Sequence, residues 1–205
     1  IAVVADFRNS DIAAGGQGAP LAPAFHSWMF GNNKYKRILI NIGGIANISI
    51  LLNKKSFFGY DIGPGNALLD AWIAKNKQKK YDNKGEWSNS GKPNMKLLKI
   101  FKSDPFFKKT PPKSTGSHDF NLEWILSTKK RYGQRLLAKD IQATLTLLTA
   151  ELIVDAINKC PKDGDIAFSG GGIKNLSLMA LIKNKLNGRH IQSTTDWGIA
   201  PEWVE

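Results

Sequence analysis

Three short glycine-bearing segments, each lying where an apolar run ends, constrain the fold of this chain more than any other feature. Residues 37–52, RILINIGGIANISILL, are two β-type apolar runs around Gly43 and Gly44, the pattern of a hairpin with glycines at its tip. SFFGYDIG follows as a third strand, broken sharply after Asp61 by Gly63-Pro64-Gly65-Asn66. Late in the chain, DIAFSGGG is a buried strand running into Gly170-Gly171-Gly172, with a helix expected from Asn175. Each segment has a chemical reading. Glycines at a hairpin tip let a backbone approach phosphate oxygens, and a glycine loop feeding a helix N-terminus suits a nucleotide. A carboxylate at a strand end beside small residues can open onto a cleft and take a proton from a nucleophile. Taken singly, the Gly43-Gly44 pair fits an ordinary turn better, and Asp61 fits a turn or capping aspartate equally well. The spacing at 170–172 matches neither the Walker nor the dinucleotide fingerprint.

The segments between them fill in an α/β layout. AVVADF at the start reads as a strand, and AAGGQGAPLAP as a loop. Asn66 is placed to N-cap a helix through ALLDAWIAKN, with Leu68, Leu69, Trp72 and Ile73 on one face. A longer helix is expected from Lys139 to Asn158, with a core-facing stripe of Ile141, Leu145, Leu148, Leu152 and Ala156. NLSLMALIKNKL predicts another helix and HIQSTTD a last strand. Residues 1–36 are expected to be the end of a first half plus a connecting segment. Residues 37–205 are expected to be a second half, carrying an irregular basic insertion at 76–137 with one helix near MKLLKIFKS.

Composition bears mainly on partners. The net charge is +12, and residues 75–139 hold 17 Lys and Arg against 5 Asp and Glu, an excess that accounts for all of it. So localised a charge reads as a solvated lysine-rich surface rather than a nucleic-acid footprint, since the interspersed aromatics follow no stacking motif. No apolar run reaches the ~20 residues needed to span a bilayer, so no membrane partner is expected. One cysteine, Cys160, cannot form an intrachain disulfide and fits a reducing, cytoplasmic setting. His26, His118 and His190 are too dispersed to form a metal-ligand pattern, and no protein metal site is expected. Trp72 and Trp124 read as core residues.

Together the three segments match one half of an actin-like ATPase (ribonuclease H-like), a mixed sheet flanked by helices. VVADFRNSDIAAGGQGAPLAPAFH, LINIGGIANIS, GYDIGPGNALLDAW, YDNKGEW, PPKSTGSHDFN, DIQATLTLLTA, FSGGGIKN and TTDWGIAPEWVE resemble, motif by motif, the anhydro-N-acetylmuramic acid kinase family. The resemblance implies a kinase that uses Mg2+-bound ATP and water to convert a 1,6-anhydro amino sugar into its 6-phosphate during cell-wall recycling. It implies Asp61 as the general base acting on water. Gly43, Gly44 and Asn47 would face the phosphates, and Gly170, Gly171, Gly172 and Asn175 the adenosine. Gly63, Arg8 and Glu205 would lie with Asp61 at the sugar, Arg8 pairing with its lactyl carboxylate. Lys113 and Ser114 would border the cleft without a catalytic part. A homodimer is expected of the intact protein. The family's first phosphate loop, a Gly-Thr-Ser-Met-Asp-Gly stretch, has no counterpart here, so this sequence is expected to be a fragment, inactive alone. The alternatives are a nucleotide-binding regulatory protein on the same scaffold, and, last, nucleic-acid binding through residues 75–139.

Overall fold

A computed structural model of the chain describes residues 6–15, 18 and 21–204. Most of the strand expected at AVVADF, part of the following glycine loop, and Glu205 lie outside the described residues. The elements are α1 (Phe7–Ala13), α2 (Ala22–Phe30), β1 (Arg37–Ile42), β2 (Ile45–Leu51), β3 (Phe57–Pro64), α3 (Ala67–Lys77), α4 (Glu86–Asn89), α5 (Met95–Phe101), α6 (Leu122–Tyr132), α7 (Ala138–Asn158), β4 (Asp165–Ser169), α8 (Leu176–Lys185) and β5 (Ile191–Ser193).

The five strands form one mixed sheet in the order β3-β2-β1-β4-β5. The first three are antiparallel in sequence, whereas β4 joins β1, and β5 joins β4, in parallel. Both faces of the sheet are covered, which is why its central strands read as nearly continuous apolar runs. Ile38, Ile40 and Ile42 of β1, with Ile48 and Ile50 of β2, face the main core beneath α3, α5, α7 and α8. Leu39, Leu51 and Ala167 face the other way, against Phe30 at the end of α2 and Val204. At about 1.5–3 kcal/mol for each large apolar side chain fully buried, these two layers supply the main force holding the sheet between helices.

Helix α7 is the pillar of the main layer. It has no glycine or proline, and its expected stripe of Ile141, Leu145, Leu148, Leu152 and Ala156 is buried. Burial extends further, to Gln142, Thr144, Thr146 and Thr149, because helices pack over its remaining faces. These polar residues find partners: Gln142 Nε2 donates to Leu69 O at 3.3 Å, and the threonine hydroxyls at 144 and 146 donate to carbonyls one turn back.

Two local readings change. Asn66 does not cap α3 through its side chain; its own backbone is already in the helical region, and Nδ2 instead donates to Ile42 O at 3.3 Å. That contact ties the start of α3 to the end of β1. The segment 76–137 is also more regular than its charge suggests. Besides the expected helix at α5, it contains α4 and α6, and α6 is closed by Asn121, whose side chain accepts from Trp124 N, and by Gly133 at φ 74°. Asp82 is buried and accepts from the amides of Trp87 and Ser88, both at 2.9 Å, fastening α4 to the body. Lysines cover the outward side of this layer while Leu97, Leu98, Phe101 and Ile125 enter the core.

Candidate active site

Asp61 sits near the end of β3, where the antiparallel register shifts. A bulge in β3, at Ile62, pairs Asn47 with Asp61 but Ala46 with Gly63. Asn47 and Asp61 therefore present to one cleft of about 750 Å3, which Arg8 of α1, Thr115 and His118 also line. Gly63 takes the other direction: a Cβ built there would meet Phe107 and Leu152, on the α7 side of the sheet. Of the expected sugar-side residues, the structure thus brings together Asp61 and Arg8, and turns Gly63 toward the core.

The Asp61 carboxylate is fixed rather than loose. Thr115 N donates to Oδ2 at 2.9 Å, and the Asp61 amide donates to Lys113 O at 3.1 Å. Residues 113–115 thereby lie as a loop against the edge of β3, and Thr115 Oγ1 anchors the loop by donating to Asp119 Oδ2 at 2.7 Å. Only 5% of Asp61 is exposed. Burial pushes its carboxyl above the usual range, while the Thr115 amide and the charges of Arg8 and Lys113 pull the other way without cancelling the rise. The result is a carboxylate more basic than one in water, held by one oxygen and bordering a cleft.

The turn that follows is clamped from two sides. Thr149 of α7 donates to Pro64 O and Gly65 O, both at 3.2 Å. The hairpin tip docks on it too: the amides of Gly65, Asn66 and Ala67 donate to Gly44 O, Gly43 O and Gly44 O at 2.9, 2.8 and 3.0 Å. The tip glycines thus use their carbonyls inside the protein. The next residue of the hairpin, Ile45, lines the Asp61 cleft, and Asn66, which the tip holds, lines a second pocket of about 400 Å3 with Asp70, Lys84, Gly171 and Asn175.

The glycines divide into two kinds. Gly170 has φ 80° and an added Cβ would overlap the Asn41 side chain; at Gly172 it would overlap Ile42. These two are needed for the loop to pack against the end of β1. At Gly43 a Cβ would make only ordinary contacts, the nearest at 3.5 Å; at Gly44 the nearest atom is at 3.9 Å; at Gly171 there is nothing within 4 Å. The fold gives no steric reason for glycine at 43, 44 or 171, and a close-approaching ligand would give one. Asn175 also has a structural duty: its Oδ1 accepts from Leu178 N at 3.0 Å and caps α8.

The sequence reading placed Asn47 with the phosphates, and the structure sets it beside Asp61. It did not single out Thr115 or His118. Their signals were the PPKSTGSHDFN motif of the family resemblance, which contains both, and a polar, glycine-containing run inside a lysine-rich stretch. Among the described residues no group of His, Cys, Asp or Glu is arranged to hold a metal ion, and no helix is long and apolar enough to cross a membrane. Cys160 is buried and its thiol is pushed up to about 11, the opposite of an activated nucleophile. His26 is buried too, with Nδ1 2.8 Å from Ser49 Oγ, and burial lowers it to about 4, so it stands as a neutral packing residue.

A mixed 3-2-1-4-5 sheet with a hairpin glycine tip, an acid on the third strand and a glycine loop after the fourth has the fold of one half of an actin-like ATPase. A solved structure with the same fold is the activator of the 2-hydroxyisocaproyl-CoA dehydratase from Clostridium difficile with bound ADPNP, at TM-score 0.51 and 15% identity, over 90% of this chain and 61% of that one. The family described as anhydro-N-acetylmuramic acid kinase matches residues 1–205, and the chain belongs to it. The kinase of that name from Pasteurella multocida is 47% identical over 207 residues, covering 100% of this chain and 55% of its own length. That from Saccharophagus degradans is 45% identical over 205 residues, with 100% and 55% covered. The chain therefore spans about half the length of the curated relatives it matches.

Proposed function

We propose that this chain supplies the second half of an ATP-dependent anhydro-N-acetylmuramic acid kinase, in which Asp61 activates water. The observation that carries this reading is the Asp61 carboxylate itself, buried, raised in basicity, held by one amide and open to a cleft beside Asn47 and Arg8. Water is a poor nucleophile, and a fixed carboxylate that accepts its proton contributes about 10²–10⁴-fold. In the proposed reaction Asp61 takes that proton as the water oxygen bonds to the anomeric carbon. The bond from that carbon to O6 breaks, and O6 bonds to the γ-phosphorus of ATP as ADP leaves. Asn47 orients the attacking side, and Arg8 pairs with the carboxylate of the sugar.

The residues present fit a nucleotide. A side chain at Gly171 would meet open space in a pocket polar on several sides, and at Gly43 and Gly44 only ordinary contacts would oppose one. Gly43 and Gly44 would take the phosphates, and Gly171 with the rim of that pocket the adenosine. Mg2+ would arrive with ATP and neutralise phosphate charge. Gly170, Gly172 and Asn175 support this wall from behind. A cytoplasmic homodimer belongs to the same reading, to be checked by sedimentation of the intact protein.

The test uses the intact protein with ATP and the 1,6-anhydro sugar. Asp61→Asn should lower turnover by about 10²–10⁴-fold while nucleotide affinity holds. Full activity in that variant would remove Asp61 from the chemistry, and an intact parent that forms no 6-phosphate would overturn the whole assignment.

A further inference from the structure

The opposite face of β3 carries a cavity that this reaction leaves unused. Tyr60 and Ile62, the neighbours of Asp61 that point the other way, form its floor with Phe107 and Leu152. The rim is strongly one-signed: five lysines, at 102, 108, 109, 113 and 159, against the single carboxylate of Asp155.

These lysines are not equivalent. Lys102 Nζ lies 2.9 Å from Glu151 Oε2 and 3.3 Å from Asp155 Oδ2, so its charge and that of Asp155 are already matched. Among the described residues, no carboxylate lies within ion-pair distance of Lys108, Lys109, Lys113 or Lys159, of which Lys109, Lys113 and Lys159 carry the interactions that follow. Lys113 is half-buried, with Nζ 3.4 Å from Phe106 O and 4.4 Å from the Phe106 ring centroid. Lys109 Nζ stands 5.7 Å from the same ring. Burial, then the charge of Lys159, lowers the affinity of Lys113 for its proton; Asp61 opposes this and Lys109 adds to it. Gathering four unmatched ammonium groups around an apolar floor works against the fold by itself. A bound anion reverses the sign, and the low-dielectric floor strengthens its attraction. The cavity holds about 160 Å3, below the ~300–1,000 Å3 of an ordinary organic-ligand pocket. That suits a small anionic head group with the rest of its molecule outside.

We propose that Lys109, Lys113 and Lys159 form a binding site for a dianionic phosphate group, carried as free phosphate or as a phosphomonoester, on the reverse side of β3 from Asp61. The site is connected to the cleft by two residues of chain. Lys113 O accepts from the Asp61 amide and Thr115 N donates to its carboxylate, so an anion that draws in the Lys113 side chain acts on the segment that positions Asp61.

The experiment is a titration of the chain with inorganic phosphate at constant ionic strength, read by calorimetry and by backbone amide NMR, with glycerol phosphate as a parallel arm. Expected are saturable binding and a shift of the Thr115 amide. Lys109→Gln and Lys159→Gln, both at exposed positions that leave the fold intact, should each weaken binding by about tenfold. Lys174→Gln, at the rim of the other pocket, should leave it unchanged. Tighter binding of glycerol phosphate identifies a phosphomonoester as the ligand, and equal affinity identifies free phosphate. Absence of saturable binding, or affinity unchanged in both Lys109→Gln and Lys159→Gln, overturns the proposal.

Discussion

Alanine substitution along Gly170-Gly171-Gly172 separates what the fold needs from what a ligand needs, within three adjacent residues. At Gly172 the new methyl overlaps the Ile42 side chain, in a core where overpacking costs about 1–3 kcal/mol. At Gly170 it overlaps the Asn41 side chain and must also adopt φ 80° with ψ 169°, a region essentially confined to glycine, which adds about 1–3 kcal/mol. At Gly171 the methyl meets nothing within 4 Å and the backbone is not in the left-handed region. There the loss of unfolded-state entropy stabilises by about 0.4–1 kcal/mol. Urea denaturation should therefore rank Gly171→Ala at or above the parent and the other two below it. The methyl at Gly171 also projects into the pocket lined by Asn66, Asp70 and Asn175, where it would hold a nucleotide off the backbone. Titration of a non-hydrolysable ATP analogue into the intact protein should then show weaker binding by Gly171→Ala despite its undiminished stability. Parent-like nucleotide affinity in that variant would refute the view that glycine is kept there for a ligand. A stability loss at Gly171 as large as at Gly172 would refute the packing distinction.

Asp70, half-buried in the same pocket, is raised from 3.8 to about 6, first by burial and then by the charge of Asp82. Because the folded value lies above the unfolded one, the stability tied to its proton is full below about pH 3.8 and is lost as pH rises through about 6. Asp70→Asn should thus match the parent in acid and exceed it at pH 7. A shift of this size is worth about 3 kcal/mol for a fully buried group, and about 1 kcal/mol after solvent screening at a half-exposed one; equal melting temperatures at pH 7 would contradict this. Leu148→Ala, in the middle of α7 against the sheet, should cost about 2–5 kcal/mol in chemical denaturation, and a loss under 1 kcal/mol would argue against a close-packed pillar. Thr115→Pro removes the amide that donates to Asp61 Oδ2; in the intact enzyme turnover should fall with sugar affinity largely kept, and unchanged turnover would separate that hydrogen bond from catalysis.

The strands and long helices were readable because burial imposes a period. The alternating and continuous apolar runs of 37–52, the stripe on α7 and the face Leu68, Leu69, Trp72 and Ile73 were each written in adjacent letters and appear as expected. The helix at 122–132 was equally encoded, with Asn121 before it, Glu123 in its first turn and Gly133 after it, but its lysines and arginine made a surface helix resemble an unstructured charge run. The site was legible by halves. Asp61 and the glycine loops stand out because small residues beside a strand end are rare without a reason. What a linear reading cannot see is direction. One bulge in β3, at Ile62, decides that Asn47 joins Asp61 and that Gly63 faces Phe107, and the glycine inside the strand hints at a bulge without giving its direction. Nor does periodicity reveal that residues 113–115, far along the chain, return to the edge of β3. Their hydrogen bonds run through backbone atoms that every residue type possesses. The same return gives the basic segment a purpose that its charge concealed. Its polar stretch holds the carboxylate on one face of β3, and its lysines border the cavity on the other.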